Sequence, residues 1–433
     1  MPARVRSCRP VTTVNADYHA LLARHDAMRL RRQLLAPGQR PDGAPPAREV
    51  ARTYDGAADQ RVITDHLDLV TPFDGLISHL YDAMFAQRPF LRSLFPASME
   101  FQRRHLADIL RYLIDRLHRP EEIVAVFTRL GRDHRKLGVR PAHFATFEAA
   151  LREALHRSAG QRWSEAMEGA WLRMLRFAVT AMVEGAEAAL AEPPAWQATV
   201  TAHHVRRPGL AVLRVRPHEP YPYRAGQYAS VASPLLPQAW RQYSLARAPR
   251  PDGELEFHVR QTGTGGVSEA LVAHTRAGDT LRLGPAGGTM TLDDPLTRDV
   301  LLVAGDTGWA TAKALLEELA ARRTAHRTAH LFLDARSGLY DLESPTDLER
   351  RHPWLRVVPV LGEGPATDPY RRLAEVVGRH GDWSEHVAFV SGPPALVGAT
   401  VDRLAGARLP AARIRHDPLP ATTPPAGHPR AIG

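Results

Sequence analysis

Two polar stretches in the second half of the chain carry the residue types that bind a phosphorylated, planar cofactor. In Arg241-Gln242-Tyr243-Ser244, the guanidinium can hold a phosphate, the aromatic ring can lie on a planar ring, and the hydroxyl can hydrogen-bond a polar ring edge. In Gly265-Gly266-Val267-Ser268, the glycines permit close backbone approach, and amides at a helix start can bind an anion. Together they predict a cofactor site; the alternative is a strand followed by ordinary turn glycines.

The block before these motifs, residues 61–192, has helical periodicity throughout and few strand signals. Three polar side chains, Tyr81, Gln102 and His134, fall at positions where the spacing predicts apolar residues. Each one alone is typical of a polar group that is satisfied inside a core. A neutral histidine in such a place can also ligate a metal.

Residues 193–298 show alternating strand-like segments separated by turn residues, after a boundary at Pro193-Pro194. Spacing of this kind predicts a small antiparallel barrel. The predicted strands are Trp196–Ala202, Leu210–Arg216, Tyr228–Ala232, Gln242–Ala246, Leu255–Gln261 and Thr280–Leu283.

Residues 299–417 follow a strand-turn-helix pattern. Val300–Ala304 is a continuous apolar run, as expected of a buried parallel strand. Gly305-Asp306-Thr307-Gly308 then opens the helix Ala310–Leu319, an arrangement that cradles phosphates. The alternation continues and predicts an α/β domain. Its further predicted elements are the strands His330–Asp334, Leu355–Leu361 and Val387–Ser391, the turn Gly392-Pro393-Pro394, and the helices Pro369–Arg379 and Ala395–Leu404.

Taken in this order, the motifs resemble those of flavohaemoglobins, in which a globin precedes a ferredoxin-reductase-like FAD and NAD(P)H module. The stretches that begin at His79 and at Gly131 are similar to that family's globin. The resemblance covers residues from about 65 to 417. It implies a multidomain fold with an all-α globin, an antiparallel β-barrel FAD domain and an α/β nucleotide-binding domain. The expected limits are 1–60 for an N-terminal extension, 61–192, 193–298 and 299–417 for the three domains, and 418–433 for a disordered tail.

The resemblance also assigns roles in the globin. His134 would be the proximal ligand of the iron of haem b, and Phe95 would pack on the porphyrin. Tyr81 and Gln102 would donate hydrogen bonds to dioxygen, and Leu106 would narrow the pocket.

The resemblance assigns the reductase motifs to FAD and NAD(P)H. Tyr223 would contact the flavin ring, although it could instead be a strand-entry aromatic, and Gly284-Pro285 would form the turn that closes the barrel. Arg336 could pair with the 2′-phosphate of NADPH or be a solvated arginine. The cofactor-binding residues implied are Tyr223, Arg241, Gln242, Tyr243, Ser244, Gly265, Gly266, Val267, Ser268, Gly305, Asp306, Thr307, Gly308, Gly392 and Pro393.

Several positions depart from the family pattern. Phe144 stands where the family has a tyrosine that orients the proximal histidine, and the accompanying glutamate falls near Ala186, with Glu184 and Glu187 out of register. The substitutions in the reductase module are Thr311 for proline, Ser391 for cysteine, and Asp417 for the terminal acid without the aromatic that follows it.

The activity implied by the resemblance is that of a nitric oxide dioxygenase, which converts nitric oxide and dioxygen to nitrate with electrons from NAD(P)H. Three alternatives stay open. The chain could be a flavin-haem oxidoreductase with another electron donor or acceptor. It could be a haem-based gas or redox sensor with residues 1–60 as its output arm. It could also be a reductase for a separate oxygenase, with a helical docking module that lacks haem.

Composition narrows the partners. The 433 residues carry a formal charge of +9, but the excess arginine is scattered, so we expect no nucleic-acid partner. The single cysteine, Cys8, excludes internal disulfides and iron–sulfur clusters. No apolar run could span a bilayer, and the N-terminus lacks a signal-peptide core, so we expect a cytoplasmic protein. The basic amphipathic stretch Asp17–Leu35 could touch a membrane or partner, but a loosely docked helix is favoured, and no obligatory protein partner is inferred.

Overall fold

The structure is a computed structural model that describes residues 54–322, 327–334, 340–341, 345–361 and 369–417. The predictions for Cys8, for Asp17–Leu35, for Arg336 and for the tail after residue 417 lie outside these residues. The chain forms two compact units. One holds the residues up to Arg88 together with Ile109–Pro193, and the other holds Pro89–Asp108 and the residues from Pro194 onward.

Helices occupy most of the chain between residues 56 and 188, as the periodicity predicted. Pro120 and Pro141 begin two of them, where the fixed φ of proline suits the first helical position. The Ser164 hydroxyl accepts a hydrogen bond of 3.2 Å from the Met167 amide and caps a third. The helices are α1 (Gly56–Asp65), α2 (Asp74–Gln87), α3 (Glu100–Arg116), α4 (Pro120–His134), α5 (Pro141–Ala159) and α6 (Glu165–Ala188).

In the first unit, α4 and α6 pack backbone to backbone through two glycines. A Cβ atom added to Gly131 would lie 1.9 Å from the Met182 carbonyl oxygen, and one added to Gly185 would lie 1.9 Å from the Thr128 carbonyl oxygen. Only glycine permits so close an approach. This crossing lies one helical turn before His134 and therefore determines where that histidine is held.

The second unit contains an antiparallel sheet with the strand order β4-β3-β6-β1-β2-β5. The two outer strands of this order meet at an isolated bridge between Leu245 and Phe257, so the sheet curls toward closure. The prediction of an antiparallel barrel is therefore confirmed. The strands are β1 (Trp196–Arg207), β2 (Leu210–Pro217), β3 (Tyr228–Ala232), β4 (Arg241–Ser244), β5 (Leu255–Arg260) and β6 (Thr280–Gly287), with the short helix α7 (Val267–Glu269) and a π-helical turn (Ala270–His274) before β6.

One local prediction in the barrel is wrong. Gly284-Pro285 does not form a closing turn, because β6 continues through these residues to Gly287. The pairing of β6 with β3 shifts register between Ala229 and Val231, opposite this dipeptide. A bulge tolerates a proline, which has no amide hydrogen for the ladder, and so the strand can pass through it.

A second, parallel sheet of the same unit has the order β11-β10-β7-β8-β9. Helices α8 and α11 pack on its central strands, and both faces of β7 are buried, which explains the unbroken apolar run in the sequence. The elements are β7 (Asp299–Ala304), α8 (Trp309–Arg322), β8 (Ala329–Asp334), α9 (Pro345–Arg351), β9 (Leu355–Val360), α10 (Pro369–His380), β10 (His386–Ser391), α11 (Pro394–Gly406) and β11 (Ile414–Arg415).

A buried ion pair joins the two sheets of the second unit. The Lys313 ammonium of α8 lies 2.7 Å from the Glu256 carboxylate of β5 and 3.1 Å from Asp341. Burial alone would raise the pKa of Glu256, but the hydrogen bond from His258 and the charge of Lys313 outweigh it and lower that pKa. Breaking one partner of such a pair leaves a buried charge without compensation.

Two histidines beneath the parallel sheet make its stability dependent on pH. Burial lowers the pKa of His330 on β8 and of His386 on β10, against the smaller opposing effect of Asp299 on both. Their other charged neighbours are His380 and Arg356 for His330, and Asp382 and Glu385 for His386. Neither ring nitrogen of His386 has a hydrogen-bond partner among the described residues. The folded state therefore holds both rings neutral.

We expect the free energy of unfolding to fall as the pH drops through about 6.5, where the unfolded chain takes up protons that the folded chain does not. The slope is at most about 1.4 kcal/mol per pH unit for each histidine. Denaturant unfolding between pH 7.5 and 5.5 measures it. The double variant His330→Phe/His386→Phe should flatten this dependence, while replacing the exposed His274 with Phe should not. An unchanged slope in the double variant would contradict this account.

Candidate functional site

His134, the last residue of α4, is held in one tautomer by its own helix. Its Nδ1 atom lies 2.9 Å from the Leu130 carbonyl oxygen. A carbonyl can only accept, so Nδ1 carries the proton and Nε2 carries the lone pair. Arg135, the next residue, donates to the carbonyl oxygens of Ala189 and Glu192 at 2.5 and 2.9 Å and fixes this turn to the end of α6. The histidine is thus presented as a ligand would be.

Tyr81 lies in the buried face of α2, as the sequence predicted. Only 5% of the residue is exposed, and its ring stacks on that of Phe85 with a centroid distance of 5.8 Å. The same face buries Leu76, Ile77 and Leu80. A buried phenol needs a hydrogen-bond partner, which makes Tyr81 suited to donate to a polar ligand.

The first turn of α3 holds a buried polar atom that nothing satisfies. The Oε1 atom of Gln102 is buried and has no hydrogen-bond partner in the described part of the chain. Leu106 follows one turn later and is half-buried, as is Phe95 before the helix. A buried amide oxygen without a partner is costly, and such groups mark sites that receive a ligand or water.

The residue before Gln102 contacts the proposed flavin motif. The Arg241 guanidinium lies over the Phe101 ring, 4.2 Å from its centroid, within the second unit. Its Nη1 atom also donates to the Trp240 carbonyl oxygen at 2.8 Å. Phe101 is 46% exposed, although it is a large apolar side chain. A cation held on an aromatic face keeps most of its hydrogen-bond donors available for a phosphate.

The other residues of the motif divide between the barrel and its surface. Gln242 is exposed, whereas burial raises the pKa of Tyr243 well above its usual range. The Tyr223 hydroxyl donates to the Arg247 carbonyl oxygen at 3.2 Å, and its ring packs against the barrel core. Tyr223 is therefore anchored by the barrel itself.

The Gly-Gly-Val-Ser stretch begins α7, as predicted, and its glycines face open space. Gly265 has a φ of +70°, and a Cβ atom added to Gly265 or Gly266 would meet no atom within 4 Å. The Gly265 amide donates to the Glu269 carboxylate at 2.5 Å, so a carboxylate holds an amide that the sequence assigned to a phosphate. Ser268 accepts from the Thr262 amide at 3.2 Å and stabilises the turn, while the Val267 side chain is buried.

The turn between β7 and α8 is close to the end of β10. A Cβ atom on Gly308 would lie 2.3 Å from the Ser391 carbonyl oxygen, so the turn requires glycine there. The Ser391 hydroxyl donates to the Gly308 carbonyl oxygen at 2.9 Å. Gly392 follows with a φ of +144°, and Thr307 and Pro393 beside it are half-buried.

Asp306 holds an ion pair where a phosphate would be expected. This residue has a φ of +52°, and its carboxylate pairs with the Arg260 guanidinium at the end of β5. The Nε atom of Arg260 is buried and has no hydrogen-bond partner within the residues described. Arg260, not Asp306, is thus the group at this turn that can bind an anion.

A pocket of about 200 Å³ lies between the barrel and the parallel sheet. Ser244, Thr311, Ser391 and Asp417 contribute its polar side chains, and glycines of the two turns contribute backbone. The Oδ1 atom of Asp417 is buried without a hydrogen-bond partner in the described chain, and burial raises the pKa of this carboxyl to about 6. A polar pocket at the carboxyl ends of parallel strands fits a nucleotide ring.

Sequence reasoning missed several residues around these turns: Arg260, Glu256, His258, Lys313 and Asp341. The alternation of β5 predicted its inward positions, but an inward Glu and His carry no sign of their partner. These partners come from α8 and from residue 341, which are far away in sequence.

The donor sets fit the expected cofactors. The His134 tautomer and the unpartnered Gln102 oxygen suit haem. Arg241 and the open glycines of residues 265–266 suit the phosphates of FAD. The pocket beside Ser244 and Asp417 suits the rings of a flavin and a nicotinamide.

Comparison with protein families finds two domains. Residues 78–182 match the globin family, and residues 200–291 match the oxidoreductase FAD-binding domain. These domains, followed by a nucleotide-binding sheet, imply haem, FAD and NAD(P)H as cofactors, as the sequence predicted. No helix in the described residues is long and apolar enough to cross a membrane.

Curated relatives fall into two groups. The chain is 27% identical over 210 residues to the phenol 2-monooxygenase reductase component DmpP of a Pseudomonas species, and 31% identical over 204 residues to the naphthalene 1,2-dioxygenase system reductase component of Pseudomonas putida. The alignments span 47% and 46% of this chain, but only 59% of each relative's length. It is also 28% identical over 270 residues to the flavohemoprotein of Bordetella pertussis, which covers 58% of this chain and 67% of that protein.

Among solved structures, the flavohemoglobin of Malassezia yamatoensis, determined with bound FAD and heme, has the same fold. The match has a TM-score of 0.67 at 18% identity and covers 82% of this chain and 97% of that one. Its globin, antiparallel-sheet domain and parallel-sheet domain correspond to those described above. With these three domains in this order, the chain is an oxidoreductase that belongs to the flavohaemoglobin family.

Proposed function

We propose that this chain is a nitric oxide dioxygenase, which uses NAD(P)H and dioxygen to convert nitric oxide to nitrate. The observation that carries the proposal is the state of His134, whose Nδ1 proton is held by the Leu130 carbonyl so that the Nε2 lone pair can bind iron. We propose the domain limits 61–192, 193–298 and 299–417 for the globin, FAD and NAD(P)H domains.

The cofactors supply the electron chemistry: FAD takes a hydride pair from NAD(P)H and passes single electrons to haem iron, which binds dioxygen. The protein supplies placement, hydrogen bonds and exclusion of water. On the proximal side, His134 is the iron ligand, and the Leu130 carbonyl strengthens it as a donor. Phe144 contributes no hydroxyl to this arrangement, so the proximal push rests on that carbonyl.

On the distal side, we assign Tyr81 and Gln102 as hydrogen-bond donors to dioxygen, with Leu106 and Phe95 as the apolar walls. The support is the burial of Tyr81 and the unsatisfied oxygen of Gln102. Donors in a dry pocket stabilise negative charge on dioxygen more strongly than they would in water. They would retain dioxygen until nitric oxide arrives.

In the reductase module, Arg241 and the amides of Gly265 and Gly266 would hold the FAD phosphates. Gln242, Tyr243, Val267 and Ser268 complete these two stretches, and Tyr223 supports the ring. Binding of FAD exchanges the Gly265–Glu269 hydrogen bond and the contact of Arg241 with Phe101 for contacts with phosphate. Gly305, Thr307, Gly308, Gly392 and Pro393 would form the NAD(P)H cradle.

A second candidate is a flavin-haem oxidoreductase with a different electron donor or acceptor. Two observations favour it: several curated relatives are reductase components of oxygenase systems, and the Asp306 carboxylate lies in the phosphate turn. It predicts normal flavin content with poor reduction by either nicotinamide nucleotide.

The proposed activity is tested by anaerobic reduction of the purified holoprotein with NADH or NADPH, followed by air and nitric oxide. We expect flavin bleaching, then movement of the Soret band, then nitric oxide consumption with nitrate formed in equal amount. Haem that stays oxidised with both nucleotides would contradict the proposal and favour the second candidate.

We expect His134→Ala to abolish stoichiometric haem binding, because no other imidazole is offered at the end of α4. Soret absorbance per polypeptide measures this. The matched control is His118→Ala, which removes an exposed histidine of the same domain. A normal Soret band in His134→Ala would refute the ligand assignment.

We expect Tyr81→Phe to speed dioxygen release by roughly tenfold, since one hydrogen bond to a charged ligand is worth about 1.5 kcal/mol. Stopped-flow displacement of dioxygen by carbon monoxide measures the rate. Tyr112→Phe is the control, because the Tyr112 hydroxyl is 3.5 Å from the Glu122 carbonyl oxygen, a marginal hydrogen bond. Equal rates in Tyr81→Phe and wild type would disprove the distal role.

We expect Asp306→Asn to tighten nucleotide binding and Arg260→Gln to weaken it, each by roughly fivefold. The first change removes a negative charge from the phosphate turn, and the second leaves that charge without its counter-ion. Titration of the FAD-loaded protein with NAD⁺ and NADP⁺ measures the dissociation constants. Asp68→Asn, which breaks an exposed ion pair with Arg162, is the control. Affinities that do not respond to either change would rule out a phosphate role for this turn.

A further inference from the structure

Thr311 makes a hydrogen bond that connects the nucleotide-binding domain to the flavin motif. It lies in the first turn of α8, and its Oγ1 atom donates to the Ser244 Oγ atom of β4 at 2.9 Å. Thr311 is 2% exposed, so this bond is shielded from water. Both residues line the pocket that also contains Asp417.

The bond is not the usual one for a threonine inside a helix. Such a hydroxyl commonly bonds to a carbonyl of the preceding turn in its own helix. Here the Gly308 carbonyl of that turn accepts from the Ser391 hydroxyl at 2.9 Å, and Thr311 reaches across to the barrel instead. A proline, the residue that the family pattern places here, could make neither bond through a side chain.

The bond restricts the hydroxyl of Ser244. Because Ser244 Oγ accepts from Thr311, its own proton must lie in a different direction from that bond. A hydroxyl that accepts one hydrogen bond also becomes a stronger donor in the next. Ser244 lines the pocket, so the available direction for its proton includes the space assigned to the flavin ring edge.

We propose that Thr311 is a positioning residue that orients the Ser244 hydroxyl as a hydrogen-bond donor to the flavin ring. This inference rests on the proposed flavin site. A donor at the ring edge stabilises the electron-rich reduced ring and so favours flavin reduction. Thr311 belongs to the nucleotide-binding domain, and the bond therefore makes flavin chemistry depend on how that domain is seated.

The test compares Thr311→Val, which keeps the shape and removes the hydroxyl, with Thr311→Ser, which keeps the hydroxyl. Thr400→Val is the matched control: Thr400 is 0% exposed, and its hydroxyl has no hydrogen-bond partner among the residues that the structure describes. Each holoprotein is assayed for FAD per polypeptide, for equilibrium reduction of its flavin against a redox dye, and for the rate of flavin reduction by NADH and NADPH.

We expect Thr311→Val to retain FAD but to lower the equilibrium constant for flavin reduction about fivefold to tenfold, the range for one hydrogen bond. Its maximal rate of flavin reduction should fall while the KM for nucleotide is unchanged. Thr311→Ser should restore both values, and Thr400→Val should resemble wild type.

Other outcomes separate the two proposals. If the wild-type protein takes up no FAD, the proposed flavin site is wrong and this inference fails with it. If FAD binds and Thr311→Val matches wild type in the dye equilibrium, the flavin site stands and the positioning role is refuted. Equal deficits in Thr311→Val and Thr311→Ser would also refute it, because the hydroxyl would then not be the cause.

Discussion

The buried ion pair between Glu256 and Lys313 is the interaction on which the second unit depends. It joins a barrel strand to a helix of the parallel sheet, and Glu256 is only 2% exposed. Around it, Arg214, His258 and Asp341 complete the hydrogen bonds of the two charges. Two charges buried this deeply are stable only when each finds its partners, so the network accepts one seating of the two sheets. The pocket beside Ser244 and Asp417 exists only in that seating.

In the first unit, the corresponding constraint is steric. Gly131 and Gly185 bring the backbones of α4 and α6 into contact, and any side chain at either position would collide with a carbonyl. The crossing places the end of α4 against the end of α6, where Arg135 binds the carbonyl oxygens that close α6. His134 is therefore located by backbone contact and oriented by the Leu130 carbonyl.

The three anion-binding stretches share one physical feature, which is that protein groups already satisfy them. Arg241 lies on Phe101, the Gly265 amide binds Glu269, and Asp306 pairs with Arg260. Ligand binding at each stretch is thus an exchange of contacts. The net free energy of binding is the difference between two sets of interactions, so carboxylates such as Glu269 and Asp306 influence affinity without contacting the ligand favourably.

Local sequence determined much of this molecule: the helical block, the antiparallel strands, the buried parallel strand Val300–Ala304 and the positions of Tyr81, His134 and Arg241 in their elements. These follow from periodicity, prolines and glycines, which act over a few residues. The course of β6 through Gly284-Pro285 did not follow, because a bulge depends on the strand opposite. Tertiary structure alone decided that Asp306 meets Arg260, that Thr311 reaches Ser244, and that the Asp417 carboxylate is buried. Each of these contacts joins residues distant in the chain, and their energies depend on burial and partner geometry, which no local pattern encodes.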